Sequence, residues 1–295
     1  MLPDVIRCGD PTYTTVQFEW FLTNWCNYQC SYCSEAVNMV GEFSKQTSAG
    51  KYKLALARLK NITSPFQVEL IGGEPTLHPK IEQILESLDS IDACKNIEVV
   101  TNLSRSTNFY KNINLSKVSF LASYHPEYHR EEFVGKLLSL GPKARVTVNL
   151  TDRAEHWPKT IDLINRFDRL GIRYSFNLLE PTSTCSIEYS ETFFKLFEDY
   201  IKKSATNDQI SYTFDDGVTK IFNQIEISHN NLNKFKNYSC TPIRYRITHD
   251  GDIYNLCTNR KLPMSITSTS LYQKERCPNT CCSCDAMYVF YKEQA

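Results

Sequence analysis

The sequence predicts an α/β protein, a partial (β/α)6 TIM barrel over residues 1–234 followed by a small cysteine-rich domain over 235–295. Three observations predict it. Apolar runs rich in β-branched and aromatic residues recur at a regular interval and alternate with segments of helical periodicity. Six such units fall short of the eight that close a barrel. After a helical stretch at about 190–203 the alternation stops, and a short hairpin pattern and a group of cysteines follow.

The first strand is predicted at 17–23 (QFEWFLT) and is followed after a long interval by the helical segment KYKLALARLKNI. The second, at 67–73 (QVELIGG), leads into KIEQILESLDSI, and the third and fourth are read at 96–102 and 117–124. EEFVGKLLSLG follows the fourth, WPKTIDLINRFDRLG follows the fifth at 144–150, and the sixth at 173–180 precedes a helix at about 190–203. Gly141 and Gly171 fall where their helices should stop. Repeated β-then-α units imply parallel strands joined by crossovers. In such folds the strand C-termini and the loops after them carry the chemistry. YRITHDGDIYNLC (245–257) reads as a hairpin around Asp250-Gly251, and the tail from 277 as a loop ending in a short helix.

Hydrophobic residues make up 41% and charged residues 22%, the balance of a globular protein rather than a disordered one. Thirty-three basic residues offset thirty-three acidic ones, which gives no general attraction to nucleic acid or membrane. No stretch approaches the roughly 20 apolar residues of a membrane span, and the N-terminus lacks a signal peptide's apolar run, so a cytoplasmic location is expected. Twelve cysteines are then unusual, because thiols are kept reduced there. They cluster, three at 26–33 and six between 240 and 284, which points to metal ligation.

Cys26, Cys30 and Cys33 lie directly after the first strand, on the functional edge. A structural zinc site wants four ligands. A redox CxxC uses Cys30 and Cys33 and leaves Cys26 unexplained. A 4Fe–4S cluster held by three thiolates leaves one iron free for a substrate or cofactor, which accounts for the odd number. Gly72, Gly73, Glu74 and Pro75 follow the second strand on the same edge.

CxxxCxxC after the first strand and GGEP after the second resemble the radical S-adenosylmethionine (radical SAM) superfamily. The resemblance implies that the cluster's free iron chelates S-adenosyl-L-methionine. One electron then cleaves it to methionine and a 5'-deoxyadenosyl radical, which takes a hydrogen atom from the substrate. It implies an electron donor such as flavodoxin or ferredoxin. Tyr32 lies where the family contacts adenine. Gly72 and Gly73 would let backbone approach the methionine moiety, and their carbonyls or Glu74 would accept from its ammonium group. Asn102, Ser123 and Asn149, at the ends of strands three to five, are candidates for the ribose or carboxylate.

Cys240, Cys257 and the CxxC of Cys281 and Cys284 are similar to a twitch domain, the shortened relative of the SPASM domain. That likeness implies one auxiliary 4Fe–4S cluster ligated by these four, with Cys277 and Cys282 in surplus. A four-cysteine zinc site is the alternative.

After strand four, Tyr124, His125, Glu127, Tyr128 and His129 crowd onto the active edge, and Tyr124, His125 and Glu127 are candidates for exchanging protons with a substrate radical. Asn177 and Glu180 should face opposite sides of strand six, and Cys185 follows. The twitch spacing is similar to that of aminoglycoside alcohol dehydrogenases, which favours oxidation or rearrangement of a carbohydrate- or nucleoside-type small molecule. Modification or isomerisation of a hypermodified base or its amino acid adduct in DNA or RNA would require extruding the base. Peptide maturation is set back by the 25 residues before Cys26, too few for a leader-binding domain. A noncatalytic iron–sulfur or zinc-binding module would leave GGEP and the barrel without a role.

Overall fold

A computed structural model describes residues 4–10, 12, 14–33, 51–128, 131–179, 189–203, 210–222, 226–227, 230–280, 282 and 291–294. In chain order the strands are β1 (Val5–Cys8), β2 (Val16–Thr23), β3 (Phe66–Gly72), β4 (Cys94–Thr101), β5 (Val118–Tyr124), β6 (Ala144–Leu150) and β7 (Tyr174–Leu178). They continue with β8 (Ile210–Phe214), β9 (Thr219–Phe222), β10 (Ser239–Cys240), β11 (Arg244–Ile247), β12 (Ile253–Asn255), β13 (Glu275–Arg276) and β14 (Lys292–Glu293). The helices are α1 (Lys51–Lys60), α2 (Ile81–Asp89), α3 (Thr107–Asn112), α4 (Glu132–Leu140), α5 (Trp157–Leu170), α6 (Glu191–Lys203) and α7 (Ser268–Leu271).

All six expected barrel strands form, and β2 to β7 pair in parallel in sequence order. Their two faces differ in chemistry because side chains alternate. One face carries Phe18, Trp20, Leu22, Val68, Leu70, Ile97, Val99, Phe120, Val146, Val148 and Phe176, all buried. The helices cover it: Tyr110 of α3 meets Phe120 edge-on, Phe133 of α4 meets Tyr124, and Phe167 of α5 meets Tyr174. The other face is polar. Glu19, Glu69 and Glu98 stand in register across β2, β3 and β4. Arg244 bonds to Glu19 (2.7 Å) and Glu69 (3.1 Å), and Arg145 bonds to Glu98 (2.5 Å), so cations at both ends offset the like charges.

The hairpin of β11 and β12 forms as expected, turning at Gly251 with φ +80°. β11 also pairs in parallel with β2, so the chain beyond residue 235 shares the barrel's sheet. Arg58 of α1, 2% exposed, reinforces that join by donating to the carbonyls of Gly251, Leu262 and Pro263.

Two features lay outside the sequence reading. α3 is a short helix whose N-cap Ser106 accepts from the Phe109 amide. A second, antiparallel sheet in the order β13-β10-β14-β1-β8-β9 joins the N-terminus to the C-terminus. The tail expected to form a helix falls mostly outside the described residues.

Candidate metal centre and cofactor site

The three N-terminal thiols sit on the loop leaving β2. The Tyr28 amide donates to Cys26 Sγ (3.3 Å), and the Cys33 amide donates to the Cys30 carbonyl (3.1 Å), which folds the loop back on itself. Burial pushes the Cys26 thiol up to about 11 and the Cys30 thiol up to about 12, so binding as thiolates requires the compensating charge of a metal. Among the described residues no three Cys, His, Asp or Glu side chains gather as ligands of one ion would. A cube presents a separate iron to each thiolate and needs no such common point, so three thiols on one compact loop fit it.

The GGEP turn is fastened to this loop by backbone. The Gly73 amide donates to the Thr23 carbonyl (2.7 Å) and the Glu74 amide to the Trp25 carbonyl (2.8 Å). A Cβ on Gly72 would lie 2.3 Å from Thr23 O, and one on Gly73 would lie 2.1 Å from Trp25 O. The contact that demands glycine is therefore between the turn and the chain leading into the cysteines. Glu74 is 1% exposed. Its Oε1 accepts from the amide and hydroxyl of Thr76 and from the Thr101 hydroxyl, and its Oε2 from the Asn102 amide. This carboxylate braces β3 against β4, and the sequence reading, which looked only for a ligand to an ammonium, missed that work.

Asn102 Nδ2 reaches Asn27 Oδ1 (3.0 Å) and lies 3.9 Å from Cys26 Sγ. His125 Nδ1 lies 3.4 Å from Cys30 Sγ, 3.2 Å from the Tyr32 hydroxyl and 3.5 Å from Asn149 Nδ2. Asn177 Nδ2 then donates to Asn149 Oδ1 (3.1 Å), so Asn177 faces the polar side of the barrel. Burial pulls His125 down to about 4, and its neutral ring lies parallel to that of Tyr32. A polar arc thus runs from the thiols through His125 to the amides of β6 and β7. Ser123 lines a small pocket with Asn102 and His125.

Two expected proton-transfer groups take other places. Tyr124 lies on the helix-covered face against Phe133, 1% exposed, because strand parity sends it opposite to Ser123 and His125. Glu127 holds the cysteine loop: its Oε2 accepts from the Ser31 amide (2.9 Å), it bonds to the Ser31 hydroxyl, and Arg153 pairs with it at 3.5 Å. Both placements differ from a reading that treated the crowded stretch 124–129 as one surface. Tyr128 adds a stack on Tyr28 (4.1 Å) and accepts from the Gln29 amide, a support only tertiary structure reveals. His129, Glu180 and Cys185 lie outside the described residues.

The second thiol group lines one pocket: Cys240, Cys257, Cys277 and Cys282, with Lys292 in its wall. Cys240, Cys277 and Cys282 are buried, and the hydrogen bond between Cys282 and Cys277 pushes the Cys282 thiol up while holding Cys277 down. Cys277 and Cys282, set aside as surplus in the sequence, stand here with Cys240 and Cys257. Cys281 and Cys284 lie outside the described residues.

No family model matches the chain. It is 27% identical over 120 residues to the GTP 3',8-cyclase of Alkaliphilus oremlandii, covering 37% of this chain and 36% of that protein. It is 35% identical over 83 residues to the mitochondrial GTP 3',8-cyclase of Arabidopsis thaliana, covering 28% of this chain and 21% of that one. The chain thus spans well under half the length of these curated relatives. The solved structure of anSMEcpe with bound AdoMet superimposes with a TM-score of 0.56 at 12% identity, over 89% of this chain and 81% of that one. The chain has the fold of radical SAM enzymes. Its strand order, with thiols after the first barrel strand and GGEP after the second, is that of a radical SAM partial barrel, and the described residues form no closed barrel. Among the described residues no helix is long and apolar enough to cross a membrane.

Proposed function

We propose that the chain is an enzyme that cleaves S-adenosylmethionine reductively and abstracts a hydrogen atom from a carbohydrate- or nucleoside-type small molecule. Cys26, Cys30 and Cys33 hold the cluster, and the backbone of Gly72 and Gly73 with Tyr32, Asn102, Ser123 and Asn149 orients the sulfonium cofactor. The bound pair supplies the 5'-deoxyadenosyl radical. His125 acts as a positioning residue that fixes Tyr32 beside Cys30, and Glu127 with Arg153 keeps the loop closed. The observation that carries the reading is the hydrogen-bonded arc Cys30–His125–Asn149–Asn177, which puts amide donors and acceptors on the inner face beside the thiols. Such a face suits a substrate rich in hydroxyls and ring nitrogens, and water can be excluded from it when the cofactor is bound.

The pocket of Cys240, Cys257, Cys277 and Cys282 holds an auxiliary 4Fe–4S cluster on this reading, with those four as ligands. The twitch-like unit of 235–295 is then defined by its cluster, not by a separate core. An electron donor of the flavodoxin or ferredoxin type completes the system.

The test is to reconstitute the protein anaerobically, reduce it with S-adenosylmethionine and measure 5'-deoxyadenosine. Deuterated sugars, nucleosides, modified-base oligonucleotides and peptides are then offered in turn. Label passing into 5'-deoxyadenosine from a sugar or nucleoside supports the proposal. Label from an oligonucleotide or peptide overturns the substrate class, and no 5'-deoxyadenosine above background with clusters intact overturns the enzyme.

A further inference from the structure

Lys292 occupies a position that the radical SAM reading does not explain. In the second sheet β14 lies between β10 and β1. Lys292 is directly opposite Cys240 on one side and Cys8 on the other. Directly opposed residues project to the same face. A thiol, an ammonium and a second thiol therefore stand in one row across three strands, and the row borders the pocket of Cys240, Cys257, Cys277 and Cys282. Lys292 is 1% exposed, and its Nζ sits 5.2 Å from the centroid of the Phe235 ring.

Lys292 stands in the wall of the four-thiol pocket, so its buried ammonium is a fixed positive charge beside whatever those thiols hold. A 4Fe–4S cube carried by four thiolates is a dianion when oxidised and a trianion when reduced, so a fixed cation beside it favours the reduced form. Net charge and burial are among the levers that set cluster potentials.

Resting on the auxiliary-cluster reading above, we propose that Lys292 is the built-in counter-charge of that cluster and raises its reduction potential. The couple is one electron with no proton: the cube gains one electron from an external reductant, which is oxidised, and on re-oxidation gives one electron to an external oxidant, which is reduced, while the ammonium keeps its proton. Lys292 touches no reacting atom in this role. It is a positioning residue acting through charge, and Cys8 opposite it shields the ammonium from solvent.

The experiment uses the full chain in a Cys26→Ala/Cys30→Ala/Cys33→Ala background, so that any iron belongs to the C-terminal pocket. Iron per chain is counted after anaerobic reconstitution, and the potential is read by a redox titration followed by electron paramagnetic resonance. The parent should bind about four irons. Lys292→Met should keep them, and at the parent's midpoint its reduced-to-oxidised ratio should fall about tenfold, which is about 59 mV for one electron. Lys292→Arg should stay within about twofold of the parent. A Lys292→Met protein with full iron and an unchanged potential would overturn the inference while leaving the cluster in place. Absence of iron from the parent background would remove the auxiliary-cluster reading itself, and the inference with it. Should Lys292→Met fail to take up iron, Lys292→Arg decides: iron and potential retained uphold the charge role, and their loss assigns Lys292 to packing.

Discussion

Replacing Gly73 by alanine separates two explanations of the GGEP turn. If the glycine serves ligand access alone, Gly73→Ala folds normally and loses only affinity for S-adenosylmethionine. The geometry gives a different result. The new Cβ would stand 2.1 Å from the Trp25 carbonyl oxygen, whereas real Cβ atoms essentially never come under 3.0 Å. Relief requires the turn and the segment 23–25 to part by roughly 1 Å, which stretches the Gly73–Thr23 and Glu74–Trp25 bonds of 2.7 and 2.8 Å. Overpacking of this kind costs about 1–3 kcal/mol, and two weakened backbone bonds add about 1 kcal/mol each. The expected loss is about 3–5 kcal/mol, a large part of a typical stability of about 5–15 kcal/mol.

At about 2 °C per kcal/mol for a chain of this size, the melting temperature should fall by about 6–10 °C. Gly171→Ala is the control. Its φ is +66° with nothing within 4 Å of the new Cβ, so it carries only the left-handed strain of about 1–2 kcal/mol. Thermal melts by circular dichroism, with iron counted after reconstitution, make the comparison. A Gly73→Ala protein that melts with Gly171→Ala or above it and binds full iron would refute the reasoning.

Three other outcomes are expected. Cys26→Ala, Cys30→Ala or Cys33→Ala should each reduce 5'-deoxyadenosine to background, since each removes one of three supports for the cube; full turnover in any of them would end the proposed mechanism. Glu69, pushed up to about 7 by burial and by its neighbours Glu19 and Glu98 despite Arg244, binds its proton more tightly in the folded chain than in the unfolded one. Its contribution to stability is therefore present at about pH 4.5 and lost as the pH rises to about 7, so urea midpoints should fall across that window in the parent and fall less in Glu69→Gln. Arg58→Met strands the carbonyls of Gly251, Leu262 and Pro263 and should cost about 2–4 kcal/mol, with faster amide exchange at residues 251–263 than elsewhere.

The barrel was legible because parallel strands covered by helices must be apolar on one face, and Trp20, Leu70, Val99 and Val148 announce that face in the sequence. The cysteine loop was legible because its three thiols lie within eight residues. Tyr124 and Glu127 were misread because their roles turn on single-residue questions: the parity of β5 for one, and the approach of Ser31, 96 positions away, for the other.

The same distinction explains the second sheet and the pocket beside it. Strands of two to five residues, such as Ser239–Cys240 and Lys292–Glu293, carry too little pattern to be seen, and their partners lie across the whole chain. Cys8 meets Lys292, and Lys292 meets Cys240, only after both termini have entered one sheet. Spacing favoured Cys281 and Cys284 because CxxC is a local signal, whereas Cys277 and Cys282 reach the pocket by long-range pairing: the Cys277 amide bonds to the Tyr238 carbonyl (2.8 Å) and the Cys282 amide to the Asn233 carbonyl (2.8 Å). If those two bonds select the ligands, substituting Cys277 or Cys282 should empty the pocket of iron and substituting Cys281 should not. Iron retained without Cys277 and lost without Cys281 would return the choice to the local motif.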